Sequence, residues 1–263
     1  GIKANETIGI IGGTGSGKTT LVSLLLRLYD TSDGSIYIDG FNIKEYSIKS
    51  LRSLIGIVLQ KVSLFKGSIK TNLLNSNRNA SDLEINDALN YSLASDFVSE
   101  KEDGINSKVE QFGRNFSGGQ KQRLNIARTL IKKPKLLIFD DSFSALDYKT
   151  DLDLRKSIKN NFSDTTVIMV SQRVSSIKNA DKIIILDSCH SGYFAISDTP
   201  ALDLSETIET FVGRGYAVLA SCSAEQTSGF EPNRQLSTYT SFLVDALTSR
   251  FLIREGKKSL ESI

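Results

Sequence analysis

The stretch IGIIGGTGSGKTT, residues 8–20, restricts what this chain can fold into more than any other. An apolar run ends at Gly12, four residues intervene, and Gly17, Lys18 and Thr19 lead directly into the helix-like LVSLLLRL. Strand, glycine-rich turn and helix in that order gather backbone N–H groups and a helix N-terminus around one point, a cradle for phosphate oxygens. Gly12, Gly13, Thr14, Gly15, Ser16 and Gly17 form the loop. Lys18 brings a mobile cation to the terminal phosphates, Thr19 offers a hydroxyl to Mg2+, and Thr20 completes the first turn.

A second segment, KLLIFDDSFSALD at 135–147, places the apolar run Leu136 to Phe139 before Asp140 and Asp141. A carboxylate at the C-terminal end of a strand in a parallel sheet lies on the side where ligands bind. There Asp140 is suited to hold Mg2+ and Asp141 to orient a nucleophilic water.

Between these segments lies NFSGGQKQRLNIARTLIKKP, residues 115–134. With the phosphate loop and LLIFDD, it resembles the nucleotide-binding domain of ABC transporters over residues 1–187. The resemblance implies an α/β P-loop NTPase fold, a mostly parallel sheet with a helical subdomain at about 62–130. Strands are expected at 7–12, 55–60, 136–140, 166–171 and 182–187, with GSIYIDG in an antiparallel flank. The resemblance further implies ATP and Mg2+ as ligands. Ser117, Gly118, Gly119 and Gln120 match the family signature, which caps the γ-phosphate of ATP held by another subunit. Gln60 matches the glutamine that senses Mg2+ and the transmembrane partner, joining Thr19 and Asp140 as a metal ligand, and Ser144 to Asp147 match the D-loop. The loop SKVEQFGRNFSGGQ is similar to that of exporters. Expected partners are a homo- or heterodimeric second nucleotide-binding domain and a transmembrane domain on a separate or missing segment.

Two catalytic positions depart from the family pattern. Asp141 stands where most members have Glu, and a carboxylate one methylene shorter implies slow hydrolysis, because a displacement of about 1 Å can cost about a hundredfold in rate. Gln172 stands where the switch histidine is usual, and an amide cannot carry that charge. Together they resemble the degenerate half of a heterodimeric exporter. Only eleven residues precede Gly12, so the aromatic on which family members stack adenine is expected to lack a counterpart and base affinity to suffer.

From Lys182 to Ile263 the sequence changes character. IIILDSCHSG, GYAVLASCSAEQ and STYTSFLVDALTSRF resemble the C-terminal part of caspase-like peptidases, with Cys189 in the nucleophile position. The chain looks like a chimera, with residues 188–263 a caspase-like α/β half-domain extending the same sheet. ALDLSETIETFVGRG is expected to cross over as a helix and YAVLASCS to add a parallel strand. The one histidine, His190, adjoins Cys189 and points to the opposite face of a strand, so it is a poor base for the thiol. Peptidase activity is accordingly not expected.

Composition narrows the remaining choices. The net charge of +2 gives no field to attract nucleic acid, and Lys132, Lys133 and Lys135 read as a solvated helix end. No apolar run reaches the roughly 18 residues of a membrane span, and two cysteines suit a reducing compartment. The expected location is the cytoplasm, at the inner membrane face when bound to a transmembrane partner. Three functions stay open: a weakly hydrolysing ABC-type ATPase, a cysteine peptidase using Cys189, and a recombined scaffold that binds nucleotide without turnover.

Overall fold

The apolar run before the glycine loop folds as β1, Thr7–Gly12, with every residue after Thr7 buried. Burial on both faces explains why it reads as a continuous apolar run rather than an alternation. The computed structural model describes residues 1–13, 15–186 and the backbone of 187 and 215–220. After β1 come α1 (Lys18–Leu25), β2 (Tyr37–Ile38), β3 (Phe41–Asn42), α2 (Ile48–Leu54) and β4 (Ile55–Leu59). Next are β5 (Gly67–Ser68), α3 (Ile69–Leu74), α4 (Asp82–Tyr91), α5 (Ser95–Ser99), β6 (Lys108–Val109) and α6 (Gly118–Leu130). The described elements end with β7 (Leu136–Asp140), α7 (Tyr148–Asn161), β8 (Thr166–Ser171), α8 (Val174–Ile177), β9 (Lys182–Asp187) and β10 (Gly215–Ala220). Two compact units result, Gly1–Arg52 with Val167–Ile263, and Ser53–Thr166.

In the first unit the strands run in the order β10, β9, β1, β8, each pair parallel. Ile10 of β1 lies between Val170 and Ile184, so the centre of the sheet is aliphatic on both sides. A Cβ on Gly9 would come within 2.7 Å of Ile177 Cβ, so the glycine is what lets α8 pack this close. Strand β10 pairs with β9 from Gly215 opposite Lys182 to Ala220 opposite Asp187. The crossover expected between them falls outside the described residues. The segment GSIYIDG forms no flank on the large sheet. Its strand β2 pairs antiparallel with β3 in a two-stranded hairpin of its own. Asp39 and Gly40, both at positive φ, make the tight turn that an Asp-Gly pair favours.

The second unit holds the parallel pair β4 and β7, with Ile57 opposite Ile138. Its helices enclose a separate core that includes Leu73, Ile85, Leu89, Phe97, Leu124 and Ile131. Helices α3, α4 and α6 each begin with a capping box, Ser68 with Thr71, Ser81 with Glu84 and Ser117 with Gln120. Each box satisfies two amides that a helix start leaves without a partner. The helical region expected at 62–130 lies within this unit.

In the lysine cluster Lys133 and Lys135 are exposed as expected of a solvated helix end, and Lys132 departs from that expectation. Lys132 is half-buried and donates to Ile55 O at 2.9 Å, and burial lowers its pKa. A long aliphatic stem lets it cross apolar surface to reach that carbonyl. Lys133 instead pairs with Glu84 at 2.7 Å.

That pair makes α4 acid-sensitive. Hydrogen bonds from Lys133 and then from the Ser81 backbone and hydroxyl lower the Glu84 pKa from 4.5 to about 2. The folded value lies below the unfolded one, so the contribution is present above pH 4.5 and is lost as pH falls toward 2. Melting curves should therefore show the wild type losing stability more steeply than Glu84→Gln across that window. Parallel curves would exclude the pair as a source of acid sensitivity.

Candidate functional site

The loop after β1 closes around the side chain of Lys18. Its Nζ donates to Gly12 O at 2.7 Å, to Gly13 O at 2.6 Å and to Ser16 Oγ at 3.2 Å. Both Lys18 and Ser16 are buried. Gly17, at φ 89, is the N-cap of α1 and supplies no side-chain cap, and no acidic residue stands in the first turn. The N-terminus of this helix therefore offers amides and a positive dipole end with nothing anionic built in. Thr19 is exposed and Thr20 half-buried beside it. Gly15 also lies at positive φ, 82. Thr14 falls outside the described residues.

Gln172 belongs to the same unit. It follows Ser171, the last residue of β8, which pairs with Ile11 near the end of β1. Its exposed side chain thus leaves the sheet at the strand end from which the glycine loop also departs.

The second unit gathers the other expected residues. Asp140, the last residue of β7, lies opposite Leu59, the last of β4, so Gln60 and Asp141 emerge side by side. Gln60 Nε2 donates to Asp141 Oδ2 at 3.2 Å. Asp141 is in the left-handed region at φ 47, which Asp tolerates better than longer side chains do. The Ser144 hydroxyl donates to Asp141 O at 2.8 Å, closing the turn that follows. Asp147 caps α7, accepting from Thr150 N at 2.9 Å and Thr150 Oγ1 at 2.7 Å, and these bonds hold its carboxyl below the usual range.

Ser117 and Gln120 spend part of their capacity on each other. Ser117 Oγ accepts from Gln120 N at 3.2 Å, and Gln120 Oε1 accepts from Ser117 N at 3.1 Å. Space opens at Gly118, where an added Cβ would meet nothing within 4 Å. A Cβ on Gly119 would lie 3.6 Å from Ala145 O and 3.7 Å from Leu146 Cδ2, so the start of α6 packs on the Ser144–Asp147 turn.

Some residues that shape the site carried no sequence signal. Buried Asn72 accepts from Phe65 N and donates to Phe65 O, both at 2.8 Å, and donates to Ser68 O at 2.9 Å. It fixes the loop downstream of Gln60, yet a single Asn in a short helix announces nothing. Among the described residues no three His, Cys, Asp or Glu cluster as a metal cage. Taken by themselves, the hydroxyl of Thr19 in the first unit and the amide of Gln60 and carboxylate of Asp140 in the second are oxygen donors of the kind Mg2+ takes, commonly one or two carboxylates together with phosphate oxygens. Cys189 lies outside the described residues.

Comparison with known proteins decides the family. The family model described as ABC transporter matches residues 1–144. This chain belongs to the ABC transporter family. An uncharacterized ABC transporter ATP-binding protein of Mycobacterium tuberculosis (strain ATCC 25618 / H37Rv) is 43% identical over 189 residues, 71% of this chain and 32% of that protein. The ATP-dependent lipid A-core flippase of Francisella tularensis subsp. holarctica is 40% identical over 187 residues, 71% of this chain and 31% of the flippase. Among solved structures, a bacterial Atm1-family ABC exporter with ATP bound superposes with a TM-score of 0.69 at 37% identity, covering 71% of this chain and 32% of the exporter. The chain thus spans about a third of the length of these ABC relatives. The peptidase reading gains no support from any of them.

In this ABC protein the glycine loop leaves no room for a side chain at Gly12. A Cβ at Gly12 would sit 2.3 Å from Leu186 O and 2.4 Å from Ser16 Oγ. Gly12→Ala should lower stability by about 1–3 kcal/mol in urea unfolding, as overpacking does. An unchanged midpoint would mean that the loop moves aside without strain.

Proposed function

We propose that the chain is the ATP-binding and slowly ATP-hydrolysing domain of an exporter-type ABC transporter. The observation that carries this reading is the start of α1, a helix N-terminus without side-chain cap or carboxylate beside a lysine ammonium held by the loop carbonyls. Lys18 and the amides of residues 12–20 bind the phosphates. Thr19, Gln60 and Asp140 are the groups suited to hold Mg2+, which when bound neutralises phosphate charge and polarises a phosphoryl oxygen. Asp141 orients the attacking water, with Gln60 fixing its carboxylate. Gln172 hydrogen-bonds the terminal phosphate without adding charge, so both departures from the family pattern act toward slow turnover.

Ser117, Gly118, Gly119 and Gln120 serve ATP held by a second nucleotide-binding domain, in a homodimer or as the degenerate half of a heterodimer. A transmembrane domain completes the transporter, and the ATP-binding domain works at the cytoplasmic face. Relatives named as an export ATP-binding/permease protein, from Rickettsia typhi, and as a lipid A-core flippase support the exporter assignment. Residues beyond 187 are proposed as a structural extension without peptidase activity, a role favoured by the pairing of β10 with β9.

Thermal melting with Mg-ATP tests the binding. A ligand at 100 times its Kd stabilises the folded state by about 2.7 kcal/mol, so the melting temperature should rise, and Lys18→Ala should abolish the rise. A cooperative melt with no shift in the wild type would overturn the assignment. Phosphate release tests the catalytic role of Asp141. Asp141→Asn should stop it, whereas Asp141→Glu should raise kcat by up to about a hundredfold by restoring reach. The same substitution should lower the melting temperature, because Glu fits a left-handed backbone less well than Asp. Turnover unchanged in Asp141→Glu would trace slow hydrolysis to a different cause.

A further inference from the structure

Helix α1 ends in a way that its sequence does not advertise. Leu28 N donates to Ser23 O at 2.9 Å and Arg27 N to Leu24 O at 3.0 Å, the paired closing bonds of a Schellman turn. The left-handed position of that turn usually holds glycine, because a Cβ is strained there. Here it holds Arg27, at φ 49. A long side chain kept on a strained backbone directs attention to its contacts.

Arg27 Nε donates to Asp30 Oδ1 at 2.9 Å. Its Nη1 faces three carbonyls, Tyr46 O at 3.1 Å, Ile43 O at 3.3 Å and Lys44 O at 3.4 Å. A second guanidinium arrives from α2, where Arg52 donates from Nε to Leu26 O and from Nη2 to Arg27 O, each at 3.1 Å. Two cations thus close the negative end of the α1 dipole and tie it to residues 43–46 and to α2. The eight residues of α1 measure only about 12 Å, and Lys18 and Thr19 stand at the other end. A rod this short passes a tilt at one end directly to the other.

We propose that Arg27 is a positioning residue for the phosphate-binding loop. By anchoring the C-terminal end of α1, it sets the angle at which Lys18 and the first-turn amides meet phosphate. Its nucleotide readout rests on the ATP-binding assignment, and its readout in the nucleotide-free chain does not.

The test compares Arg27→Gly, which relieves the strained φ and deletes the guanidinium, with Arg27→Lys, which keeps the charge but not the planar fork. In the nucleotide-free chain, Arg27→Gly should accelerate amide hydrogen exchange at residues 18–22 while its melting temperature stays close to wild type. The Kd and KM for Mg-ATP should rise about tenfold with kcat at saturation retained, the pattern expected when phosphate contacts made equally in ground and transition states are weakened. Arg27→Lys should fall between the two. Wild-type exchange at residues 18–22 together with a wild-type Kd would overturn the proposal, as would a lowered melting temperature with an unchanged Kd, the mark of a structural role alone. If the wild type itself shows no Mg-ATP stabilisation, the ATP assignment falls, and exchange at residues 18–22 still decides whether Arg27 controls the loop. Should the glycine variant not fold, Arg27→Lys carries the same comparison.

Discussion

The first unit depends on one buried cation. An ammonium withdrawn from water is destabilising unless hydrogen bonds replace its hydration, and for Lys18 the replacements are the carbonyls of Gly12 and Gly13 and the hydroxyl of Ser16. The carbonyls can converge only if the loop curls tightly at the end of β1, and the curl leaves no space for a Cβ at Gly12, where Leu186 O of β9 already lies. Parallel pairing of β1 with β8 and β9 in turn sets where that strand ends. Sheet register, loop shape and the place of the charge are a single constraint seen at three scales.

In the second unit a pair of strand ends plays the equivalent part. Registration of Leu59 against Asp140 delivers Gln60 and Asp141 to adjacent positions, and an ionised carboxylate, which can only accept, requires the amide to present its NH2. The amide oxygen is thereby turned away from the carboxylate. The start of α6 reaches its own order differently, through a capping box that consumes local groups and leaves Gly118 open.

Local patterns are legible in the sequence. The apolar runs of β1, β7, β8 and β9 coincide with the strands from end to end, because continuous burial is written in consecutive residues. Bonds from side chains to main-chain carbonyls outside their own turn are not legible. Lys132 reaches Ile55 O, Asn72 reaches Phe65 O, and Arg27 reaches three carbonyls of 43–46. Every residue carries a carbonyl, so no residue type at the receiving end marks such a bond in advance. The left-handed backbone at Asp141 was hidden for a similar reason: it follows from the turn held by Ser144, not from the aspartate itself.

The buried ammonium has a kinetic and entropic side as well. A lysine free in solvent samples many rotamers, and fixing one costs up to about 2 kcal/mol at the moment of capture. Lys18 has its stem buried and all three donors of its ammonium engaged. Much of that ordering is therefore incurred once, when the chain folds, and an arriving anion has to replace one of the three acceptors around the ammonium.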